Sequence, residues 1–208
     1  MVASGIIGNP GPSWHAMSVG DFNHDGRSDI LWQNDSGEAA IWEMNGTTVI
    51  GAASLGNPGP SWRVKGTGDF NGDGFSDILW QNDDGSVAIW EMHGTIMIGG
   101  GGVGSPGPSW HAKGTGDFNG DGRADILWQN DSGEAAIWEM NGTNVVAAAT
   151  IGNPGPDWRI MGVGDYNNDG KSDILWQNSS GAVAVWEMNG TNAIAAAVIA
   201  NPGPTWHV

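Results

Sequence analysis

The chain has 208 residues, which is enough for one large all-β domain with a sizeable core. Charged residues make up only 14%, yet the formal net charge is -16, because 23 Asp and Glu stand against 7 Lys and Arg. This balance disfavours nucleic acid and anionic membrane surfaces as partners, since both attract Lys and Arg, and it favours cations.

An internal repeat of 48 residues organises the chain. We treat residues 1-208 as one domain with repeats at approximately 14-61, 62-109, 110-157 and 158-205, and with overlapping ends. All 13 tryptophans fall into three series at that interval. The series are Trp14, Trp62, Trp110, Trp158 and Trp206; Trp32, Trp80, Trp128 and Trp176; and Trp42, Trp90, Trp138 and Trp186.

A longer period of 96 residues lies on top of the first. The residue after the first tryptophan of each repeat is His15 or His111 in repeats 1 and 3, and Arg63 or Arg159 in repeats 2 and 4. We infer that a unit of two repeats was duplicated, so an even number of blades per ring follows naturally.

Each repeat has room for four strands, which the first repeat shows in order. The pattern predicts strands at residues 15–20, 29–33, 39–44 and 47–53. The residues between the second and third strands, 34–37, are typical turn residues, and Asn45-Gly46 predicts a type I′ hairpin turn between the third and fourth. The second strand is apolar on both faces, as in sheets that stack between neighbouring sheets.

Four short strands in every 48 residues are typical of a β-propeller blade. We therefore predict an all-β propeller with four antiparallel strands in each of four blades. Three arrangements stay open: a ring closed within one chain, an eight-bladed ring shared by two chains, and a fragment of a longer array. We prefer the single-chain ring, so the chain is expected to be a monomer, or else a homodimer that completes the ring.

An aspartate-rich loop links the first two predicted strands of every repeat. Oxygen-bearing side chains stand at its positions 1, 3, 5 and 9, glycine at position 6 permits a sharp bend, and the carbonyl at position 7 adds an oxygen. Such hard ligands in a flexible loop suit Ca²⁺ better than Mg²⁺. The candidate metal ligands, position 7 through its carbonyl, are Asp21, Asn23, Asp25, Arg27 and Asp29; Asp69, Asn71, Asp73, Phe75 and Asp77; Asp117, Asn119, Asp121, Arg123 and Asp125; and Asp165, Asn167, Asp169, Lys171 and Asp173.

The charge of these loops also favours a bound cation. Twelve of the 23 acidic residues lie in them, and three carboxylates in one loop repel one another without a cation. We expect about four Ca²⁺ per chain. An EF-hand is disfavoured, because Trp32 rather than Glu stands at position 12 of the first loop and strands flank it.

The loop strings resemble a known family. Residues 20–31, which read Gly-Asp-Phe-Asn-His-Asp-Gly-Arg-Ser-Asp-Ile-Leu, and residues 116–122 are similar to FG-GAP or VCBS-type repeats. That family forms the β-propellers of integrin α-chains, bacterial surface proteins and some propeller lectins. The resemblance implies a calcium ion in each loop and an extracellular or cell-surface location for the parent protein, although this chain shows no signal peptide.

The Pro-Gly-Pro loops before each repeat supply the candidate ligand residues Trp14, Trp62, Trp110 and Trp158. A tryptophan can stack on a sugar ring, and Asp35, Asp83 and Asp131 are expected nearby, with Ser179 in their place in repeat 4. The competing interpretation is that these tryptophans fill the gaps between blades. The loops that carry them should share one face of the propeller, and the aspartate loops should share the other.

No catalytic set is predicted, and we do not expect an enzyme. Glu43, Glu91, Glu139 and Glu187 recur without a distinguished partner, so a structural role is expected. We predict a calcium-stabilised binding module with carbohydrate as its ligand. The alternative is a structural scaffold or adhesion segment, engineered for symmetry or natural, that binds only calcium.

Overall fold

The protein folds entirely into β-sheet over residues 8–205, which the computed structural model describes. The sixteen strands form four sheets, and each sheet holds the four strands of one repeat in chain order, with antiparallel neighbours. The predicted all-β fold of four four-stranded blades is confirmed. In this part of the chain there is no helix long and apolar enough to cross a membrane.

The strand bounds repeat closely from blade to blade. Blade 1 holds β1 (Trp14–Gly20), β2 (Asp29–Asn34), β3 (Ala39–Asn45) and β4 (Thr48–Gly56). Blade 2 holds β5 (Trp62–Gly68), β6 (Asp77–Asn82), β7 (Val87–His93) and β8 (Ile96–Gly104). Blade 3 holds β9 (Trp110–Gly116), β10 (Asp125–Asn130), β11 (Ala135–Asn141) and β12 (Asn144–Gly152). Blade 4 holds β13 (Trp158–Gly164), β14 (Asp173–Asn178), β15 (Val183–Asn189) and β16 (Asn192–Ala200).

The hairpin between the third and fourth strands differs from the sequence prediction. Asn45 pairs with Thr48, so the two central residues of the turn are Gly46 and Thr47. Gly46 has a φ of 60°, and neither Asn45 nor Thr47 has a positive φ. A positive φ at the first central residue alone belongs to a type II′ turn, so the predicted type I′ turn is wrong. Asn45 ends the strand instead of entering the turn.

The two ends of the blades carry different loops, as predicted. At one end, the turn after β2 lies beneath the Pro-Gly-Pro loop that enters blade 2, and a Cβ on Gly37 would fall on the carbonyl of Gly59. At the other end, the aspartate loop of blade 1 meets the hairpin turn of blade 2, where the Gly94 amide donates to the Phe22 carbonyl at 2.6 Å.

Three apolar cores lie between successive blades. The first joins one face of blade 1, with Phe22 and Leu31, to one face of blade 2, with Ile78 and Trp80. Two more cores join blades 2 and 3 and blades 3 and 4. Each inner sheet is therefore covered on both faces, which explains why β6 and β10 are buried at every residue except the last.

Hydrogen bonds repeat at these three junctions. Across them, Ser76, Ala124 and Ser172 amides donate to the carbonyls of Asp21, Asp69 and Asp117 at 2.7–2.8 Å. Within residues 8–205 no such bond joins blade 4 to blade 1, and β13 and β1 do not pack together as β1 and β5 do. The described chain is an open series of four blades, unlike the single-chain ring that the sequence favoured.

Candidate functional site

The aspartate loop is held in a tight curl by its own side chains. In blade 1, Asp21 Oδ1 accepts the amide of Asp25 at 3.0 Å, and Asp21 Oδ2 accepts the amide of Gly26 at 2.8 Å. Asp25 Oδ1 in turn accepts the amide of Arg27 at 2.9 Å. Equivalent bonds recur in the other three loops, so one conformation repeats in every blade. Gly26 allows the bend, with a φ of 79°.

The last aspartate of each loop is buried and joins the loop to the sheet. Asp29 has no exposed surface. Its Oδ2 accepts the Phe22 amide at 3.0 Å, and its Oδ1 accepts the Met44 amide at 2.8 Å. Asp77, Asp125 and Asp173 accept the same two amides in their own blades.

Burial makes the negative charge of these aspartates costly. Desolvation raises the pKa of Asp77 and of Asp125 to about 7, although the amides that they accept lower it in part. The carboxylates of Asp73 and Asp69 add repulsion to Asp77 and raise its pKa further. Desolvation also raises the pKa of Asp29. A cation in the loop would favour the charged form of all three.

The basic residue at loop position 7 distinguishes one loop from the rest. Arg27 Nη1 lies 2.9 Å from Asp25 Oδ2, and the corresponding pairs in loops 3 and 4 are 3.7 and 4.0 Å apart. Loop 2 has Phe75 at this position, and the Phe75 ring lies 4.0 Å from the ring of His93, between centroids. Loop 2 therefore has no cation of its own at position 7, although the Arg123 side chain of loop 3 lies beside its Gly72.

The donors of the loops fit calcium in chemistry but are oriented toward the loop backbone. Among the described residues no group of three or more His, Cys, Asp or Glu side chains is arranged to hold a metal. The candidate side-chain ligands are nevertheless all oxygens of Asp and Asn, the ligand type that Ca²⁺ takes. Each of these oxygens has two lone pairs, so accepting one amide leaves the second for a metal.

The four candidate ligand tryptophans are half-buried rather than free on the surface. Trp62, Trp110 and Trp158 contact the three apolar cores between blades. This supports the interpretation that they fill the gaps between blades. Trp110 and Trp158 also line two equivalent apolar cavities on blades 3 and 4, of about 290 and 320 Å³, together with Trp138 and Trp186 respectively.

The candidate aspartates lie apart from these cavities, and Asp35 and Asp83 each line a polar pocket of their own. Asp35 Oδ1 is 2.8 Å from His15 Nε2, and Asp131 Oδ1 is 2.8 Å from His111 Nε2. Asp83 shares a pocket of about 150 Å³ with residues of blades 2 and 3. The structure does not bring these aspartates into the cavities that the tryptophans line.

Sequence reasoning missed two groups of residues. Trp138 and Trp186 line the apolar cavities. The sequence shows them as members of a periodic series, but the period does not tell whether such a tryptophan lines a cavity or lies in the core. Lys65 and Lys113 are exposed on β5 and β9, whereas the residues just before them, Val64 and Ala112, are buried. The two lysines therefore lie on the side of their strands that faces away from the core. The alternation of His and Arg after each first tryptophan was the only signal for this basic surface.

The repeated glutamates lie beside glycines of the next blade. Glu91 Oε1 is 2.6 Å from where a Cβ on Gly142 would stand, and Glu139 Oε1 is 2.5 Å from the equivalent point on Gly190. These glycines are in hairpin turns, so the carboxylates help to seat the turn of the following blade. This position fits the structural role expected for them.

Four-stranded blades in series, each with an aspartate loop between its first two strands, define a propeller-like repeat protein. The model of the FG-GAP-like repeat matches residues 21–80 and 117–176, which is more than half of the chain. The chain belongs to this family. Each match begins at the first aspartate of a loop and ends at the tryptophan of the second strand in the next blade.

Comparison with whole proteins adds little. No curated protein matches the chain. Of 218 matching chains in solved structures, one is the crystal structure of the computationally designed Ika8 protein, with 8% identity and a TM-score of 0.49. The match covers 84% of this chain and 48% of that one, so the chain spans about half the length of the designed protein.

Proposed function

We propose that this FG-GAP repeat chain is a calcium-stabilised binding module that takes carbohydrate at its tryptophan-walled cavities. The observation that carries the proposal is the pair of equivalent cavities on blades 3 and 4. A repeated site suits a repetitive ligand, because several weak contacts to one glycan surface add up to avidity. The family resemblance supports a location outside the cell, where calcium is plentiful.

The calcium part of the proposal rests on the loops. In each, the aspartates at positions 1, 5 and 9, the asparagine at position 3 and the carbonyl at position 7 would hold the ion. Burial makes the negative charge of the aspartates at position 9 unfavourable, and a bound Ca²⁺ would neutralise part of that charge. The chain's own part is to hold the oxygens: the amides that Asp21 and Asp29 accept keep the loop curled and anchored to β3.

The carbohydrate part rests on the shape and chemistry of the cavities. Trp110 and Trp138 give one cavity two indole walls, and Thr150 adds a hydroxyl. Trp128 lines it as well, and its buried indole N–H has no hydrogen-bond partner among the described residues. Apolar ring faces beside a few polar groups are typical of sugar sites.

A glycan array in calcium buffer tests the proposal, with a variant that fills both cavities. Ala148 and Ala196 line the two cavities and are exposed, so the double variant Ala148→Phe with Ala196→Phe should fold normally. We expect the wild-type chain to bind a defined set of glycans and the double variant to lose that binding.

The matched control places phenylalanine on the same two strands away from the cavities. Val146 and Ile194 are each 56% exposed and are not among the residues that line the cavities, so Val146→Phe with Ile194→Phe should bind as the wild type does. A blank array, or equal binding by the cavity-filled variant, would favour the scaffold alternative.

A further inference from the structure

The two outer faces of the blade series are the two halves of an interface that the chain already uses three times. At each internal junction, a face with a Phe and a Leu meets a face with an Ile and a Trp. Blade 4 presents the first kind of face, with Tyr166 and Leu175, and blade 1 presents the second, with Ile30 and Trp32. We call these the blade 4 end face and the blade 1 end face.

Both end faces are uncovered. Tyr166 is 50% exposed, whereas Phe22, Phe70 and Phe118 at the same position have no exposed surface. On the blade 1 end face, Ile30 and Trp32 are half-buried, whereas Ile78, Trp80 and their counterparts in blade 3 are at most 1% exposed. Since the same residue types are buried in the inner blades, the exposure comes from the missing neighbour.

A single contact shows how closely the end faces match. At the junction of blades 3 and 4, Val163 Cγ2 lies 2.8 Å from where a Cβ on Gly114 would stand, so valine fills the space above glycine. The equivalent glycine of the blade 4 end face is Gly162, which has nothing within 4 Å. The equivalent of Val163 on the blade 1 end face is Val19, which is 59% exposed.

The unused hydrogen-bonding groups also correspond. The Asp165 carbonyl and the Ser28 amide are the counterparts of groups that are bonded at all three internal junctions, and no bond joins them to each other within residues 8–205. The first strands of successive blades, β1, β5, β9 and β13, pack on one another, and we call them the inner strands.

We propose that two copies of this chain dock head to tail, each blade 4 end face on the blade 1 end face of the other, to close a ring of eight blades. We choose a second copy as the partner because, at each internal junction, a face like the blade 4 end face already packs on a face like the blade 1 end face. Two identical junctions related by a two-fold axis leave no end face over, so assembly stops at two copies.

Light scattering in calcium buffer measures the mass directly. We expect twice the 21.6 kDa of one chain. Gly162→Glu should return the mass to one chain, because a Cβ on Gly162 meets nothing within 4 Å in the single chain but would meet Val19 of the second copy. Val19→Asp should do the same from the other end face, where its charge stays in water until docking.

The matched control is Gly101→Glu. Gly101 lies on β8 away from both end faces, and a Cβ there also meets nothing within 4 Å, so this variant should stay at the mass of two chains. A wild-type mass of one chain, a mass that grows with concentration beyond two chains, or two-chain mass in both Gly162→Glu and Val19→Asp would overturn the proposal.

A second inference comes from the inner strands and does not depend on the first. Of the 7 Lys and Arg residues, four lie on β5, β9 and β13: Arg63, Lys65, Lys113 and Arg159. We call them the inner-strand cations. None of them is within ion-pair distance of a carboxylate in the described part of the chain, whereas the other three basic residues all are.

The inner-strand cations repel one another. Lys113 is reached by solvent, yet the surrounding protein lowers its pKa, and the charges of Lys65 and Arg159 lower it further, while Asp131 raises it in part. Arg63 is held in place by donating from Nη1 to the carbonyls of Pro60 and Trp62. Four positive charges lie close together although the chain has 23 acidic residues that could pair with them. A bound anion would reduce the repulsion between these positive charges.

We infer that a small oxyanion, a carboxylate or a sulfate or phosphate group, binds in the pocket between blades 2 and 3. This pocket of about 150 Å³ is lined by Arg63, Lys65 and His111, with Gln81 and Asn82 beside them. Asp83 is the one acidic residue in its wall, and Asp131 lies 2.8 Å from His111, between Oδ1 and Nε2. The Arg fork and the Lys ammonium suit an oxyanion, since both donate charge-assisted hydrogen bonds.

Calorimetric titration of the intact chain with sodium sulfate and with sodium glucuronate tests this site and identifies the kind of oxyanion. We expect a Kd on the order of 1 mM or tighter for at least one of them. Lys65→Gln should weaken it about tenfold or more, and Asp83→Asn should tighten it, because both residues line the pocket. Lys171→Gln, in an aspartate loop, is the control and should leave the Kd unchanged. No binding of either anion, or equal binding by Lys65→Gln, would contradict the site.

Discussion

The aspartates of each loop have two different tasks, although their sequence spacing suggests one. Asp117 and Asp121 curl the loop by accepting its own amides at the surface. Asp125 is buried and accepts the amides of Phe118 and Met140 at 3.0 and 2.9 Å. It therefore joins the loop to the third strand whether or not a metal is present, while Asp121 matters chiefly for a metal.

Replacing these two aspartates separates the tasks. Asp125→Ala leaves two buried amides without an acceptor, so we expect it to lower the free energy of unfolding by about 3 kcal/mol in EGTA. Asp121→Ala should cost less than about 1 kcal/mol in EGTA but should remove part of the stabilisation that calcium adds. Urea unfolding with and without calcium measures both. Similar losses in EGTA for the two variants would argue against the structural role of Asp125.

At the scale of elements, each blade is joined to the next by a loop that lies directly on a turn. A Cβ on Gly133, in the turn after β10, would fall on the carbonyl of Gly155 in the loop that enters blade 4. The same arrangement recurs at Gly37, Gly85 and Gly181. The turns and loops of one end therefore form a continuous layer, which requires glycine at the turn.

Two glycine substitutions test this layer. Gly133→Ala should lower the free energy of unfolding by roughly 3 kcal/mol, because the methyl group displaces the facing backbone and the φ of 90° is strained for alanine. Gly155→Ala has a φ of 100° but open space around its Cβ, so it should cost only about 1 kcal/mol. Urea midpoints compare them, and equal losses would show that backbone strain alone matters there.

At the scale of the whole molecule, net charge and local charge point to different partners. The chain carries -16, and its acidic residues are concentrated in the aspartate loops at one end of the blades. Its unpaired basic residues gather on the inner strands instead. A cation at the loops and an anion near the centre can therefore bind the same molecule without competing for one surface.

Calcium removal is the measurement that tests the loops together. If calcium is present at about 100 times its Kd, each site contributes about 2.7 kcal/mol by mass action. The melting temperature should fall sharply in EGTA and recover with calcium, and magnesium should restore it only weakly because it resists giving up its waters. An unchanged melting temperature after thorough chelation would mean that calcium does not stabilise the fold.

Most of the fold could be predicted from the sequence because its determinants are local and repeated. Three of the strand predictions in repeat 1 agree with the structure to within one residue at each end, and the fourth strand runs on to Gly56. Turn residues and the two-sided apolar pattern of β2 predict blades without reference to distant residues. The type of the hairpin turn was wrong, because Asn-Gly does not say which residue ends the strand.

Relations between blades were decided only by the tertiary structure. Repeats of nearly identical sequence make the same local structure, so they cannot say whether blade 4 meets blade 1 or remains open. Nor can they show that Trp110 lines a cavity from which the candidate aspartates are absent, or that the charges of Lys65 and Arg159 act on Lys113. Those facts depend on how far the series of blades curves and where it stops, because only packing between sheets brings residues of different repeats together.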